Sequence, residues 1–367
     1  MTQRLRIGVI TSGKFHYNAG AVIQAALVRQ GSYHENEFIG LTHDAGPEVI
    51  KYLEGGTGSF YDWAGVDDLS KLLVSCKVTH LLSDDFYPRL RVAAKASRRA
   101  DIEYVVYAHV LRGFAAISRA RPHAESAWAE ASFFAGSLAP FRALTHNYVE
   151  LLSGARQVLP NSGFTQALLA GLYGVVSGPI AYPAVDREFL REQPSTSPAR
   201  EGSFAIYFGN KGELSDRNLV ALALQCQQKG LTLGEGFGDP EAAGIFKKSF
   251  PGTFVTHSES LLGSDLANIL SKSSVTIAPQ TNEMFGLVGP ESILCGTPVL
   301  LTNYQPWLEI TGPGSFCGLL WDRTPGPLRP WNSTEAKNDL PSARRKLREK
   351  LSPESLASRL LSAISPP

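Results

Sequence analysis

The sequence predicts two successive α/β domains, each built on a parallel sheet. Short apolar runs alternate with amphipathic helical stretches from Leu5 to Tyr173, the rhythm of parallel strands covered by helices on both faces. Arg191–Gly202 (REQPSTSPAREG) is then almost free of apolar residues and rich in Pro, Ser, Glu and Arg, as an interdomain linker is. The rhythm restarts at Ser203. The 367 residues also suit two domains of roughly 150–200 residues better than one core. The expected division is a first domain over 1–186, a linker over 187–202, a second domain over 203–340 and C-terminal helices over 341–367.

In the first domain, Leu5–Ile10 reads as a strand leading into Thr11-Ser12-Gly13, a strand followed by a glycine loop. Helical spacing runs over Gly20–Arg29 and stops near Gly31. Glu37–Leu41, Val78–Leu82, Tyr104–Ala108 and Gln157–Pro160 read as strands. Asp67–Ser75, Arg89–Ala100, Ala124–Leu138, Pro140–Ser153 and Thr165–Tyr173 read as helices. In the second, Ser203–Phe208, Leu231–Gly234, Val275–Ala278 and Pro298–Leu301 are the expected strands. Leu219–Gln228, Leu261–Ser271 and Pro290–Cys295 are the expected helices, with Ala343–Lys350 and Pro353–Ile364 closing the chain. Glycine loops follow the first two strands, at Gly209-Asn210-Lys211-Gly212 and Gly236-Phe237-Gly238. Parallel sheets bind ligands outside the carboxyl ends of their strands. Gly13, Asp84 and His109 fall at such ends, and two such domains imply a cleft for a small molecule.

Composition bounds the function. Apolar residues make up 43% of the chain, enough for two cores, and the net charge of +1 gives no general attraction for nucleic acid. Cys76, Cys226, Cys295 and Cys317 are widely spaced with no CxxC, which fits reduced thiols rather than a disulfide framework or a zinc site. No secretory leader and no apolar run approaching the ~18–20 residues of a membrane span is evident. The expectation is a cytoplasmic protein, with contact at the inner membrane face left open.

The segment with most chemical content is Pro279–Val299, PQTNEMFGLVGPESILCGTPV. Pro290 suits the first turn of a helix, where its missing N–H costs nothing; Glu291 falls in that turn and Gly296 can end the helix. Backbone N–H groups around Gly286–Gly289 would face a ligand from the helix start, a natural phosphate site. Glu283 and Glu291 on either side repel phosphate but accept hydrogen bonds from hydroxyls. The pattern suits a molecule with a diphosphate in the middle and sugars at both ends.

This segment resembles the Glu-x7-Glu motif of retaining glycosyltransferases of the GT-B fold, in particular glycosyltransferase family 4. Glu283, Phe285, Gly286, Leu287, Glu291, Gly296, Pro298 and Val299 stand in register, with Ser292 where alanine is common. Asn161-Ser162-Gly163-Phe164 through Val175, Tyr182–Asp186, Gly20, Tyr107-Ala108-His109 and Glu309 extend the likeness. The resemblance implies two Rossmann-like domains facing a cleft, with C-terminal helices returning toward the first. It implies transfer from a UDP-, GDP- or other nucleotide-diphosphate sugar, without a metal or other cofactor, to an acceptor that is a small molecule, a glycan or a lipid-linked sugar. Donor contacts would come from Gly13, Gly20, Gly209, Asn210, Phe285, Gly286, Leu287, Val288 and Glu291, with Glu291 on the ribose. Glu283 and His109 would meet the donor sugar. The family's diphosphate-binding arginine is replaced by Asn210, which leaves Lys211 or Arg217 to supply the charge.

For the acceptor, His16 and Tyr17, together with Phe15, Phe86 and Tyr87, offer rings that stack on sugars. Asp84 or Asp85 could position its hydroxyl, although a strand-end aspartate also caps the following turn. Arg89–Arg121 holds eight basic residues and two acids; Arg91, Lys95 and Arg98 share a helical face that could meet anionic lipid or a phosphorylated acceptor, or simply be solvated. Two other functions fit the scaffold: a nucleotide-sugar epimerase, and a silent nucleotide-sugar binder that Asn210 keeps open.

Overall fold

A computed structural model describes residues 4–12, 19–43, 47–109, 111–112, 145–191, 202–209, 214, 216–228, 230–249, 254–258, 263–280, 283–301, 305–312, 314, 316–319 and 333–364. The chain forms two units, Met1–Ala184 with Pro353–Pro367, and Val185–Ser352.

The first unit contains β1 (Arg6–Ser12), β2 (Ser32–Tyr33), β3 (Asn36–His43), β4 (Phe60–Asp62), β5 (His80–Asp84), β6 (Glu103–Ala108) and β7 (Gln157–Pro160). They lie in the order β2-β3-β1-β5-β6-β7, with β4 also on β3. Only β2 runs antiparallel to its neighbour. The inner strands are buried on both faces, which is why β1, β5 and β6 read as apolar runs. The helix Pro353–Ile364 returns to this unit and touches the helix Ala19–Gln30 and β7. Leu356, Leu360 and Ile364 give it one buried stripe, and Arg359 donates to the Ile180 carbonyl at 3.1 Å.

The second unit contains β8 (Ser203–Tyr207), β9 (Leu233–Phe237), β10 (Phe254–Ser258), β11 (Val275–Ala278), β12 (Val299–Leu301) and β13 (Cys317–Leu319). The order is β10-β9-β8-β11-β12-β13, parallel throughout. Phe204, Phe208 and Phe246 anchor its core. The helix Ser333–Lys350 belongs here, against the helices Val288–Leu294 and Leu308–Thr311. Arg187–Leu190, within the expected linker, is a short helix of this unit. Its start is capped by Asp186, which accepts from the Glu188 N–H at 2.9 Å.

Several boundaries differ from the sequence reading for physical reasons. Strand β9 begins two residues later and ends three residues later than the expected Leu231–Gly234, so Gly236 is a strand residue as well as Gly234. Gly234 is glycine because a Cβ there would come within 2.4 Å of the Phe204 ring. Strand β5 continues through Asp84, which pairs with Tyr107. Strands β2, β4, β10 and β13 are short edge segments with no sustained apolar run, so neighbouring strands decide them. The helices Pro47–Glu54 and Pro240–Ser249 were also not anticipated. Of the helices expected over 124–138 and 140–153, residues 145–153 are helical and the rest lie outside the described residues.

Gly234→Ala should destabilise the second unit by about 1–3 kcal/mol, because the fully packed Phe204 cannot retreat. Urea unfolding checks this, and an unchanged midpoint would remove the packing explanation for the glycine.

Candidate functional site

Each sheet reverses its winding beside its first strand, between β1 and β5 and between β8 and β11. Ligands bind at the carboxyl ends of strands at such reversals.

In the second unit, β11 ends at Ala278, and Gln280 turns back to donate from Nε2 to the Tyr207 carbonyl at 2.9 Å. Gly209 follows β8 in the left-handed region, φ 73°, and its carbonyl accepts from the Asp239 N–H at 3.1 Å. Gly238 faces it so closely that a Cβ would lie 2.9 Å from the Gly209 oxygen. Two glycine loops thus meet backbone to backbone at the ends of β8 and β9.

Glu283 follows β11 in a half-buried position, and Met284 and Phe285 turn inward. Gly286 has φ 82°, and a Cβ on it would meet Gln305 Oε1 at 2.5 Å. That same oxygen accepts from the Trp307 indole N–H at 2.9 Å. Gly289 rests on the fully buried Trp307 ring, 2.6 Å from a hypothetical Cβ to Nε1. Gln305 and Trp307 were missed in the sequence; their Gln-Pro-Trp turn after β12 was the only signal. The helix Val288–Leu294 begins at Leu287 with no side-chain cap, so its first N–H groups are left for another acceptor. Ser292 lies 2.7 Å from Thr276 Oγ1 on β11 and donates to the Thr297 carbonyl at 2.8 Å. Gly296, φ 85°, ends the helix.

Glu291 is buried in this helix. Desolvation, with the nearby Asp186 charge, pushes its carboxyl up to about 8. No cation among the described residues pairs with it, and burial favours its neutral form.

In the first unit, Asp85 is a fully buried carboxylate at the end of β5. Oδ1 accepts from the His109 N–H at 3.0 Å, and Oδ2 accepts from the Leu111 N–H at 2.6 Å and the Tyr148 hydroxyl at 2.9 Å. Leu111 is held at φ 47°, a strained conformation for a side chain of its kind. His109 Nδ1 lies 3.2 Å from Asp85 Oδ1, an ion-pair contact too far off line for a hydrogen bond. Burial alone would lower the imidazole pKa, but Asp85 and Asp84 raise it above the usual value. His109 and two backbone amides hold Asp85 below the usual carboxylate range against the opposing effect of burial. Nε2 is buried with no hydrogen-bond partner among the described residues. Asp84 is also fully buried and takes a two-pronged contact from Arg89. Both aspartates are therefore engaged inside the unit, where they brace the end of β5.

A cavity of about 380 Å³ opens beside Asp85, lined by Phe86, Tyr87, Pro88 and Arg112. The Arg112 guanidinium stacks 3.8 Å over the Tyr87 ring. Gly20 lies in the helix Ala19–Gln30, Arg217 lies in the helix Asp216–Gln228, and Glu309 lies in the helix Leu308–Thr311. Gly13, Phe15, His16, Tyr17, Asn210, Lys211 and the Arg217 side chain are outside the described residues. Among the described residues no cluster of three His, Cys, Asp or Glu side chains could hold a metal ion, and no helix is long and apolar enough to cross a membrane.

Residues 254–325, which include the Glu283–Glu291 segment, match the family model of glycosyl transferases group 1. No curated protein matches the chain by sequence. Among solved structures, the chain is similar to HepE of Anabaena in complex with UDP-glucose. The identity is 13% and the TM-score 0.69, over 98% of this chain and 99% of that one. It is also similar to a glycosyltransferase from Rickettsia africae, at 11% identity and TM-score 0.65, over 98% and 97% of the two chains. A putative UDP-N-acetylglucosamine 2-epimerase from Listeria monocytogenes aligns at 14% identity and TM-score 0.60, over 99% and 96%. The chain has the GT-B fold, and the segment that matches the group 1 model lies within its second unit.

Two titrations check the electrostatics. An acid held at about 8 in the fold and near its usual 4.5 when unfolded keeps its proton longer in the native state. Its contribution to stability is therefore complete below about pH 4.5 and is lost as pH rises to about 8, by up to about 4 kcal/mol. Glu291→Gln should flatten that fall and be the more stable protein at pH 8; parallel profiles would show that the burial is not felt. Asp85→Asn should move the His109 titration, followed by NMR of the ring, to lower pH, whereas an unchanged midpoint would disconnect the two side chains.

Proposed function

We propose that this protein is a retaining glycosyltransferase of family 4 that moves a sugar from a nucleotide-diphosphate sugar to an acceptor hydroxyl. The observation that carries the reading is the Glu283–Glu291 segment. A buried carboxyl with no cation among the described residues stands one helical turn beyond a helix start without a side-chain cap, and a second carboxyl comes shortly before Gly286, where a side chain would collide with Gln305. Glu291 accepts hydrogen bonds from the ribose hydroxyls, which supply the donors its own surroundings lack. Glu283 takes the hydroxyls of the donor sugar. The N–H groups of Val288 and Gly289 face the diphosphate, and Lys211 or Arg217 adds the positive charge.

As the bond from the sugar to the diphosphate breaks, its electron pair passes to the phosphate oxygen and positive charge grows on the sugar ring. Preorganised N–H groups and one cation support the leaving group without rearrangement, so catalysis is chiefly electrostatic and positional and calls on no resident metal. His109, its ring fixed by Asp85, presents Nε2 to the donor sugar. UDP is the first nucleotide to try, given the UDP-glucose bound by the similar HepE. The free cysteines suit a reducing cytoplasm.

The likeness to a putative epimerase keeps interconversion of the nucleotide sugar as a second reading. One assay separates them: a transferase releases nucleotide diphosphate and lengthens an acceptor, an epimerase changes the sugar on an intact donor, and a silent binder does neither.

A panel of UDP, GDP, ADP, dTDP and their sugars should contain one member that raises the melting temperature of the wild type by several degrees at ~100-fold its Kd. Glu291→Ala should lose that shift. A shift that survives in the variant would take the ribose contact away from Glu291, and no shift from any nucleotide would sink the donor-site reading.

A further inference from the structure

The helix Tyr87–Ala100 carries five cations, Arg89, Arg91, Lys95, Arg98 and Arg99. Arg89 pairs with Asp84 and Arg99 with Asp67. Arg91, Lys95 and Arg98 are exposed and have no acidic partner among the described residues. Their spacing places them on one face, and that face is a wall of an open groove of about 630 Å³ opposite Asn147 and Leu151. Two acids also line the groove: Glu103 pairs there with a fourth lining cation, Arg156, and Glu150 stands beside His146. The three cations therefore leave a net positive field over the groove. Like charges at these spacings weaken the helix, and a solvated helix face has no need of a cavity beside it.

Tyr87 lines both this groove and the 380 Å³ cavity beside Asp85. At the rise of an α-helix, Arg91 lies about 6 Å and Arg98 about 16 Å along the axis from Tyr87. Tyr87 is thus the residue the two spaces have in common. We propose that the groove binds a phosphate group of the acceptor through Arg91, Lys95 and Arg98, with the hydroxyl-bearing end of the acceptor in the cavity at Tyr87. This rests on the glycosyltransferase reading, and it narrows the acceptor to a phosphorylated one, either a soluble sugar phosphate or a phospholipid headgroup.

The test compares the wild type with R91Q/K95Q/R98Q. All three positions are exposed, and removing like charges does not weaken the helix, so the variant should melt as the wild type does. Binding of glucose 6-phosphate is measured by calorimetry, and binding to phosphatidylcholine vesicles with and without phosphatidic acid by co-sedimentation. The wild type should bind at least one anionic probe, more weakly at high salt, and the variant about tenfold or more weakly. Loss confined to the sugar phosphate marks a soluble acceptor, and loss confined to the anionic vesicles marks a lipid headgroup. If neither probe binds, or if the variant binds as the wild type does, the proposal is overturned. Nucleotide-induced stabilisation serves as the separate control: the variant should keep it. Its absence from both proteins, with probe binding still lost in the variant, would sink the transferase reading and leave the anion site standing.

Discussion

The winding of each sheet reverses beside its first strand, and the placement of every candidate group follows from that constraint. The strand order carries the chain outward from β1 to one side and from β5 to the other, and likewise from β8 and β11, and in such sheets the carboxyl ends where the two directions part are where ligands bind. The backbone groups exposed there have no further strand to bond, so side chains must satisfy them. Gln280 does so for the Tyr207 carbonyl, and Asp85 does so for the His109 and Leu111 amides. The polar residues at these ends therefore have structural roles.

Two buried acids show how surroundings decide the charge state of a carboxyl. Asp85 has two backbone amides, a tyrosine hydroxyl and a histidine around it, so its charge survives full burial. For Glu291, burial and the nearby Asp186 charge both disfavour ionisation, and its proton is held to about pH 8. Leaving a buried charge uncompensated costs several kcal/mol, so a group in that state is either neutral or awaiting a partner. The contrast also moves Asp84 and Asp85 away from direct contact with an acceptor. Their oxygens are taken, and what they hold in place is the loop that carries His109 and the cavity at Tyr87.

Around Glu291 the geometry depends on crowding as much as on charge. Gly286 and Gly289 let the backbone approach Gln305 and Trp307 closely, and the Trp307 indole in turn fixes the Gln305 side chain. A methyl group at either glycine would push the helix start away from its seat. The first turn of the helix Val288–Leu294 is thereby held in one position by packing.

The linear sequence determined the α/β class, the buried inner strands and a helix over the Pro290–Leu294 segment, because periodicity, glycine and proline act over a few residues; the structure begins that helix two residues earlier, at Val288. It also singled out Glu283, Glu291 and His109 as candidates. Only the tertiary structure decided the edge strands β2, β4, β10 and β13, since their pairing depends on neighbours remote in the chain. It decided that the Gly234-Glu235-Gly236 stretch is strand rather than loop, because Phe204 from another strand occupies the space a side chain would need. It returned Pro353–Ile364 to the first unit while leaving Ser333–Lys350 in the second. It also sorted the basic residues of one helix into two that are paired and three that face a groove, because ion pairing depends on which acids the fold brings within reach, and no local pattern records that.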